Sequence, residues 1–322
     1  MPVTLAMAGD TMLGRGVADV LAESADPARF FSADLRERLA EADLFVLNLE
    51  CCISDRGYKW DAPGKPFHFR APPEAADLLA QLGVGCVTLA NNHALDYGPE
   101  ALLDTREHLL RAGIRSVGAG ADEAEARRPE VITVDGVRVG VLGVTDHPAD
   151  FAASAVRPGV AYADLVTGVP PWLVAQVRRL RDRSDVVLVT PHWGPNMRDR
   201  PRAYIRSAAR ALTTAGATLV AGHSAHVFHG VAPPVLYDLG DFLDDYIVDA
   251  RLRNDLGLLF LVTLDEHGPI RLRAVPIELR YCRTRLARDE DWRWIRDRFS
   301  AACTGLGSSS TEEDGLLVVE MR

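Results

Sequence analysis

Five short polar clusters, each directly after an apolar run, contain the side chains of this sequence that are most able to do chemistry. They combine aspartate, glutamate, asparagine and histidine, which bind metal ions and move protons. The clusters are Gly9-Asp10, Asn48-Leu49-Glu50, Asn91-Asn92-His93, Pro191-His192-Trp193 and Gly222-His223-Ser224-Ala225-His226. Ligands of open α/β sheets bind at the carboxyl ends of the strands. The sequence therefore predicts a metal-dependent enzyme whose site gathers these clusters.

The apolar runs that precede the clusters are short, as in buried strands of an α/β sheet. They span residues 3–8, 44–47, 86–90, 186–189 and 219–221. Segments with a helical pattern alternate with them at residues 30–40, 73–82, 99–112, 170–183 and 201–215. Beyond residue 235 the pattern becomes strand-rich, with runs at 235–239, 257–264 and 270–276. We predict a layered α/β sandwich in which helices flank two sheets.

Length, composition and charge limit the class of protein. The 322 residues are 48% hydrophobic, which is ample for a globular core. We predict one catalytic domain over residues 1–306, followed by a polar tail, 307–322, with one candidate terminal strand. The net charge is -9, and only Lys59 and Lys65 accompany 34 arginines. An acidic chain without a basic block argues against a nucleic-acid partner.

The cellular location of the protein is predicted from its apolar stretches, its first residues and its cysteines. The longest apolar stretches fall short of the roughly 20 residues of a membrane helix, so we expect no membrane partner. No basic and then apolar leader precedes the first strand, which makes a cytoplasmic location the expectation. The five cysteines fit no zinc-finger spacing and are expected to be reduced.

Asp10 and three histidines are candidate metal ligands. Asp10 opens a glycine-spaced stretch in which a carboxylate can ligate a cation; the alternative is that it caps the following helix. Neutral imidazole is the commonest metal ligand, and His-x-x-His can place both rings on one site. A lone buried histidine is usually a satisfied core group. The presence of His192, His223 and His226 at predicted strand ends favours a metal site.

Further residues are candidates for acid/base chemistry. Asn92 offers an amide oxygen beside the imidazole of His93, and Asp96 lies three residues on, where its carboxylate can orient that ring. An asparagine-rich turn that caps a helix is the alternative. Asp146-His147 ends another predicted strand and offers a second pair. Asp241, in a Leu-Gly-Asp-Phe stretch, is a further candidate, although it could serve only as a helix cap.

In this order, the motifs resemble the CapA/PgsA-type family, which is named for capsular poly-γ-glutamate synthesis and is similar in fold to the calcineurin-like metallophosphoesterases. The resemblance covers residues 3–264 and rests on Gly-Asp-x-Met-Leu-Gly-Arg, Asn-Leu-Glu, Asn-Asn-His-x-x-Asp-x-Gly, His-Trp-Gly, Gly-His-x-x-His and Leu-Gly-Asp-Phe. It implies a four-layer α/β/β/α sandwich with the calcineurin-like metallophosphoesterase fold. It also implies His93 as general acid/base. The implied metal contacts are Asp10, Glu50, Asn92, His192, and His223 or His226.

Departures from the metallophosphoesterase pattern bear on the metal. Met12 stands where a histidine is usual, and a thioether is a poor ligand for a hard cation. Glu50 takes the place of the bridging aspartate. Ile53 stands where an aspartate usually supports the catalytic histidine, a role that Asp96 could take over. A single ion with oxygen-rich coordination is at least as expected as a dinuclear centre, and Ca²⁺, Mg²⁺ or Mn²⁺ is favoured over zinc.

Without an export signal, the chain is more similar to the soluble relatives, among them the metal-dependent epimerases of lasso-peptide biosynthesis. Such enzymes invert the Cα of the C-terminal residue of a ribosomal precursor peptide. This resemblance implies a peptide substrate, a cation that holds the developing enolate charge, and a base and an acid on opposite faces of the Cα. The candidate pairs are His93 with Asp96, His147 with Asp146, and His226 with Asp241.

Two other functions stay open on the sequence. Hydrolysis of a phosphoester or of a poly-γ-glutamate-type amide would use metal-bound hydroxide, with His93 protonating the leaving group. A binding protein that keeps the fold without the chemistry is the third reading. Trp193, Phe242 and Tyr246 could line a pocket for a bulky apolar side chain, although core packing is the commoner role of such residues.

Overall fold

Two β-sheets with helices on their outer faces build the protein, seen in a computed structural model that describes residues 2–62 and 64–322. The strands, in chain order, are β1 Val3–Thr11, β2 Leu44–Leu49, β3 Cys52–Ile53, β4 Arg70–Ala71, β5 Val84–Thr88, β6 Arg115–Val117, β7 Ala119–Gly120, β8 Glu130–Val134, β9 Val137–Thr145, β10 Gly159–Val160, β11 Val186–His192, β12 Leu219–Ala221, β13 Val231–Ala232, β14 Val235–Leu236, β15 Asp241–Leu243, β16 Leu256–Asp265, β17 Gly268–Arg280, β18 Arg283–Leu286, β19 Thr311–Glu313 and β20 Leu316–Glu320. The helices are α1 Arg15–Glu23, α2 Pro27–Phe30, α3 Ala33–Leu39, α4 Glu74–Gln81, α5 Gly98–Arg111, α6 Glu123–Ala126, α7 Pro171–Arg181, α8 Ala203–Ala215 and α9 Asp289–Thr304, with a short 3₁₀ turn at Ala149–Phe151.

Parallel strands at the centre of each sheet lead to the polar clusters. The first sheet has the order β19-β20-β17-β16-β1-β2-β5-β6, and β15 and β18 pair with β1 and β17. Here β1, β2, β5 and β6 are parallel, whereas β16 is antiparallel to β1. The second sheet has the order β13-β14-β12-β11-β9-β8, with β9, β11, β12 and β14 parallel. Each polar cluster follows the carboxyl end of one of these parallel strands, or overlaps it.

Side chains alternate between two cores along the strands, so the sheets pack face to face. Leu5 and Met7 of β1 share the core between the sheets with Leu188 of β11. Ala6 points to the opposite face of its sheet, into a core built with α1, α3, α4 and α5. Val187 likewise packs with α7 and α8 on the outer face of the second sheet. This two-residue alternation gives the layers helix, sheet, sheet and helix. The four-layer α/β/β/α sandwich is therefore confirmed.

A close backbone contact sets the position of Asp10 at the end of β1. The register of β1 against β2 shifts between Ala8 and Asp10, and the Asp10 N–H donates to the carbonyl oxygen of Gly240 at 2.8 Å. A Cβ on Gly9 would lie 1.8 Å from that oxygen, so only glycine fits. Because the backbones of β1 and β15 lie this close, Asp241 of β15 is the pairing partner of Asp10.

The predicted strands before the clusters are all present, and β1, β2 and β11 extend into the clusters. The predicted helix at 30–40 is wrong at its start, because Phe30 ends α2 and α3 begins at Ala33. The predicted strand at 235–239 is shorter in the structure and spans only Val235–Leu236. Beyond it, the Asp238 carboxylate accepts the amides of Ala225 and Gly240 at 2.9 and 3.0 Å, contacts typical of a turn.

The last part of the chain joins the first sheet. Within residues 307–322, β20 pairs with β17 and buries its apolar residues, so this segment continues the first sheet. Helices α1, α6 and α9 were not predicted from the sequence. No helix within residues 2–62 and 64–322 has the length and apolar character needed to cross a bilayer.

Candidate metal and acid/base site

Side chains from both sheets converge on one buried cluster. Asp10 lies at the end of β1, Glu50 directly follows β2, and His192 ends β11; one ligand atom from each lies within 4.8 Å of the others. Asp10, His226 and Asp241 form a second group of the same size. All five side chains are buried. The sequence separation between Asp10 and Asp241 is bridged by the pairing of β15 with β1.

Several polar atoms in this region have no hydrogen-bond partner among the described residues. They are both carboxylate oxygens of Glu50, Oδ1 of Asn92, Nε2 of His192, Nδ1 of His223 and Oδ2 of Asp241. Buried polar groups in folded proteins are almost always paired, because an unpaired one costs free energy. Every atom in this set can donate a lone pair. A divalent cation binds atoms of this kind, so the donor set fits a metal site.

The charges of the cluster lead to the same conclusion. Burial raises the pKa of Glu50 well above its usual value, and the charge of Asp10 adds to the effect. Burial also raises the pKa of Asp238 and of Asp241. Burial alone would raise the pKa of Asp10, but the nearby His223, His192 and His226 outweigh that effect and lower the pKa. Such a group of carboxylates is costly in a low dielectric unless positive charge is bound beside it.

Met12 and Asp241 together explain how the first motif departs from the phosphoesterase pattern. The Met12 sulfur accepts the Gly14 amide at 3.0 Å, and the side chain belongs to a hydrophobic core. Asp241 instead places an oxygen in the group with Asp10 and His226. Asp241 of β15 thus adds a carboxylate to the candidate donors beside Asp10.

The first acid/base pair lies after β5. His93 Nδ1 is 2.6 Å from Asp96 Oδ2, and the same oxygen accepts the Phe69 amide at 2.6 Å. Lys65 Nζ lies 2.8 Å from the other oxygen of Asp96. Burial lowers the pKa of His93, and Asp96 opposes that effect only in part. Ile53, at the usual aspartate position, lies in the hydrophobic core.

The second pair lies after β9, on the opposite sheet. His147 Nδ1 is 2.5 Å from Asp146 Oδ1. Asp146 Oδ2 accepts the Tyr204 hydroxyl at 3.0 Å and the Gly194 amide at 3.1 Å, which fixes the carboxylate. The His147 ring centre is 5.2 Å from that of His192. The His147 side chain is 32% exposed, so solvent can reach it.

His226 and His223 both lie against Asp10. His226 Nδ1 is 2.8 Å from Asp241 Oδ1 and 3.4 Å from Asp10 Oδ2. Burial would lower the pKa of His226, but the charges of Glu50 and Asp10 prevail and raise it. His223 Nδ1 is 3.5 Å from Asp10 Oδ1, while its Nε2 is 3.0 Å from the Thr190 hydroxyl. The pair of His226 and Asp241 therefore lies inside the cluster of candidate metal ligands.

Sequence reasoning missed several residues that support the site. Asn48 donates to Asp10 Oδ1 at 2.7 Å, and Lys65 donates to the backbone oxygen of Asn92 at 2.8 Å. Asn48 stands in a cluster motif, which was an available signal, whereas Lys65 lies in an irregular loop that gives none. Of the aromatic residues considered, Trp193 and Phe242 are buried in the cores. Only the third, Tyr246, lies beside the site, with its ring centre 5.4 Å from that of His226.

Known bacterial proteins are similar to this chain in sequence. The family model "Bacterial capsule synthesis protein PGA_cap" matches residues 4–246. A Mycobacterium tuberculosis protein named "Probable polyglutamine synthesis accessory protein" is 31% identical over 98% of this chain and 96% of its own length. The "PGA biosynthesis protein CapA" of Bacillus subtilis is 28% identical over 84% of this chain and 70% of its own length.

Similar solved structures are more distant. The 5'-nucleotidase of Candida albicans aligns with 96% of this chain and 60% of its own, at 11% identity and a TM-score of 0.47. A hypothetical protein of Thermus thermophilus aligns with 85% of this chain and 99% of its own, at 18% identity and a TM-score of 0.46.

Proposed function

The chain belongs to the bacterial capsule synthesis protein PGA_cap family, and from this premise we propose that it is a metal-dependent enzyme of peptide acid/base chemistry. The reaction proposed is inversion of the Cα of the C-terminal residue of a ribosomal precursor peptide of the lasso type. The observation that supports it is the presence of two carboxylate-held imidazoles, His93 and His147, supplied by opposite sheets around one cluster of candidate ligands.

The residues that would hold a divalent cation are Asp10, Glu50, Asn92, His192, His223, His226 and Asp241. A bound cation would supply positive charge beside the carboxylate of the substrate's last residue, which favours loss of the neighbouring Cα proton. The donor set is rich in oxygen, which favours Ca²⁺, Mg²⁺ or Mn²⁺ over zinc. Because His226 and Asp241 lie among the ligands, His147 with Asp146 is the better second acid/base pair.

Each imidazole has one nitrogen left for proton transfer. In His93 and in His147, Nδ1 is occupied by the partner carboxylate, so Nε2 is available. The lowered pKa of His93 keeps its ring neutral and able to accept the Cα proton. His147 is partly exposed and can be reprotonated by solvent, so its Nε2 can deliver a proton to the other face of the Cα.

Hydrolysis of a phosphoester or of a poly-γ-glutamate-type amide is the second candidate. Asp10 belongs to both groups of candidate ligands, as a bridging residue of a two-metal site would. Two adjacent cations are typical of enzymes that stabilise both the attacking and the leaving oxygen. In that reaction His93 would protonate the leaving group.

One incubation in D₂O separates the two reactions. Metal-loaded enzyme and a lasso-type precursor peptide should give deuterium at the C-terminal Cα, a change of configuration and no cleavage. Release of phosphate from an aryl phosphate, or of glutamate from poly-γ-glutamate, would instead identify a hydrolase. Variants His93→Asn and His147→Asn add a second criterion. Each should abolish inversion. The His147→Asn variant should still exchange deuterium into the L-peptide through His93, and the His93→Asn variant should still exchange it into the D-peptide through His147.

A further inference from the structure

A cationic and aromatic cleft lies next to the acid/base pair of His93 and Asp96. Its volume is about 390 Å³, and it is lined by Arg15, Lys59, Pro66, Phe67, His68, Arg70 and Tyr97. The lining includes three fixed cations and no carboxylate, although the chain as a whole has a net charge of -9. A local positive field in an acidic protein attracts anionic ligands.

Two of these cations have no acidic partner. Among the described residues, neither Lys59 nor Arg70 has a carboxylate within 4.0 Å, whereas the nearby Arg56 is paired with Asp104. The Arg70 guanidinium lies 4.2 Å above the centre of the Tyr97 ring. Its Nη1 donates to the backbone oxygen of Arg56 at 3.3 Å, and its other N–H groups remain for an oxyanion. The Lys59 ammonium is exposed on the same cleft.

Arg15 is held in place by its surroundings. Its backbone has a φ of 51°, a left-handed conformation that is unfavourable for an L-residue. Asp245 stabilises this turn by binding the guanidinium and by accepting the Gly16 amide at 2.9 Å. The Arg15 guanidinium lies 5.3 Å from the centre of the Phe69 ring. The strained turn therefore keeps a positive side chain on the wall between the cleft and the cluster.

The cleft is within reach of a substrate bound at the cluster. The Phe69 ring centre lies 4.1 Å from that of His93 and 5.3 Å from the Arg15 guanidinium. The Arg15 guanidinium and the His93 imidazole, which both lie next to the Phe69 ring, are therefore within about 10 Å of each other, the length of three extended residues. One peptide can place its reacting residue at His93 and an acidic group, no more than a few residues away, in the cleft.

We propose that this cleft binds an oxyanion of the substrate, a carboxylate or a phosphate, and so selects substrates with an acidic group next to the reacting position. The proposal rests on the proposed function for the location of the reacting group. Arg70 and Lys59 bind the oxyanion directly, whereas the charge of Arg15 on the wall is balanced by Asp245. An uncharged group of the same size can still accept hydrogen bonds from these cations, but it lacks the attraction between opposite charges and binds more weakly.

Isothermal titration calorimetry with unreactive probes tests the cleft separately from the reaction. The probes are tetra-L-glutamate, tetra-L-glutamine and inorganic tripolyphosphate, each titrated into the metal-loaded full chain at 50 mM and 300 mM salt. The test variant is Lys59→Gln/Arg70→Gln. The control is Arg179→Gln, which removes an exposed positive charge from α7, distant in sequence and on the other sheet. Metal content per chain and circular dichroism check that each variant is folded.

We expect tetra-L-glutamate to bind the natural chain, to bind at least about tenfold more weakly to the double variant, and to weaken with salt. Tetra-L-glutamine should bind more weakly than tetra-L-glutamate, and Arg179→Gln should stay within about twofold of the natural chain. Binding of tripolyphosphate alone, with the same loss in the double variant, would identify the oxyanion as a phosphate. Equal affinities of the double variant and Arg179→Gln for both anions would overturn the proposal. If the natural chain exchanges deuterium but binds neither anion, the cleft alone is refuted. If it binds an anion in the cleft but neither exchanges deuterium nor hydrolyses a substrate, the reaction alone is refuted.

Discussion

Replacing Asp241 with asparagine should change metal affinity and metal-free stability in opposite directions. Asp241 is buried, and burial followed by the charges of Asp244 and Asp10 raises its pKa. Asparagine keeps the size of the side chain and an oxygen that can still accept a hydrogen bond from His226, now 2.8 Å away. The substitution therefore removes one charge with little change in packing.

The size of each effect follows from the geometry. The ligand atoms of Asp10 and Asp241 lie within 4.8 Å of each other. At that separation and an effective dielectric constant near 20, two like charges repel by about 3.5 kcal/mol. Partial protonation already relieves some of this in the metal-free protein, so we expect the free energy of unfolding to rise by about 1–2 kcal/mol. Loss of an anionic donor should weaken Mn²⁺ binding by about 10- to 100-fold.

Calorimetric titration with Mn²⁺ and urea unfolding in the presence of a chelator measure the two quantities. Asp244→Asn is the matched control, because Asp244 is buried and interacts with Asp241 but belongs to neither group of candidate ligands. It also removes a buried negative charge, so it should raise metal-free stability, but it should weaken Mn²⁺ binding less than Asp241→Asn does, because no candidate ligand is lost. Unchanged Mn²⁺ affinity in Asp241→Asn, or a loss of both affinity and metal-free stability, would refute the assignment of Asp241 as a ligand.

Three further outcomes are expected. Gly9→Ala should cost about 2–4 kcal/mol of unfolding free energy and reduce bound metal, because its Cβ would lie 1.8 Å from a backbone oxygen; normal stability by urea unfolding would contradict the close contact. Burial lowers the pKa of His229 to about 4 from 6.5, so the unfolded chain binds more protons between these values and up to about 3 kcal/mol of stability is lost as pH falls from 6.5 to 4. His229→Gln should flatten that slope in urea titrations at several pH values, and an unchanged slope would exclude His229 as its source. The five cysteines are free and buried, so Ellman's reagent should label them only after unfolding; rapid labelling of the folded chain would contradict their burial.

The general plan of the site could be predicted because parallel strands end at one edge of a sheet. Asp10, Glu50 and His192 each follow or end an apolar strand, and such strands are recognisable from composition alone. Asp241 was a candidate partner of His226, but its position beside Asp10 could not be predicted, because it depends on β15 pairing with β1 across most of the chain. No local pattern specifies a pairing between strands that are distant in sequence.

The two longest of the missed helices, α1 and α9, escaped prediction for physical reasons. Helix α1 begins at Arg15 in a left-handed conformation, and no side chain caps its start. In α9, only Ile295, Phe299 and Cys303 are buried, a narrow stripe among charged residues. Lys65, which contacts Asp96, lies in a loop whose form depends on tertiary contacts. Such loops have no periodic pattern from which a position could be inferred.

The location of the bound metal tests the central claim most directly. An anomalous-difference map from crystals of Mn²⁺-loaded protein should show a peak bounded by Asp10, Glu50 and His192 or by Asp10, His226 and Asp241, with carboxylate oxygens at about 2.0–2.4 Å. If instead the manganese lies elsewhere, and these side chains are hydrogen-bonded only to one another, the proposed metal site is wrong.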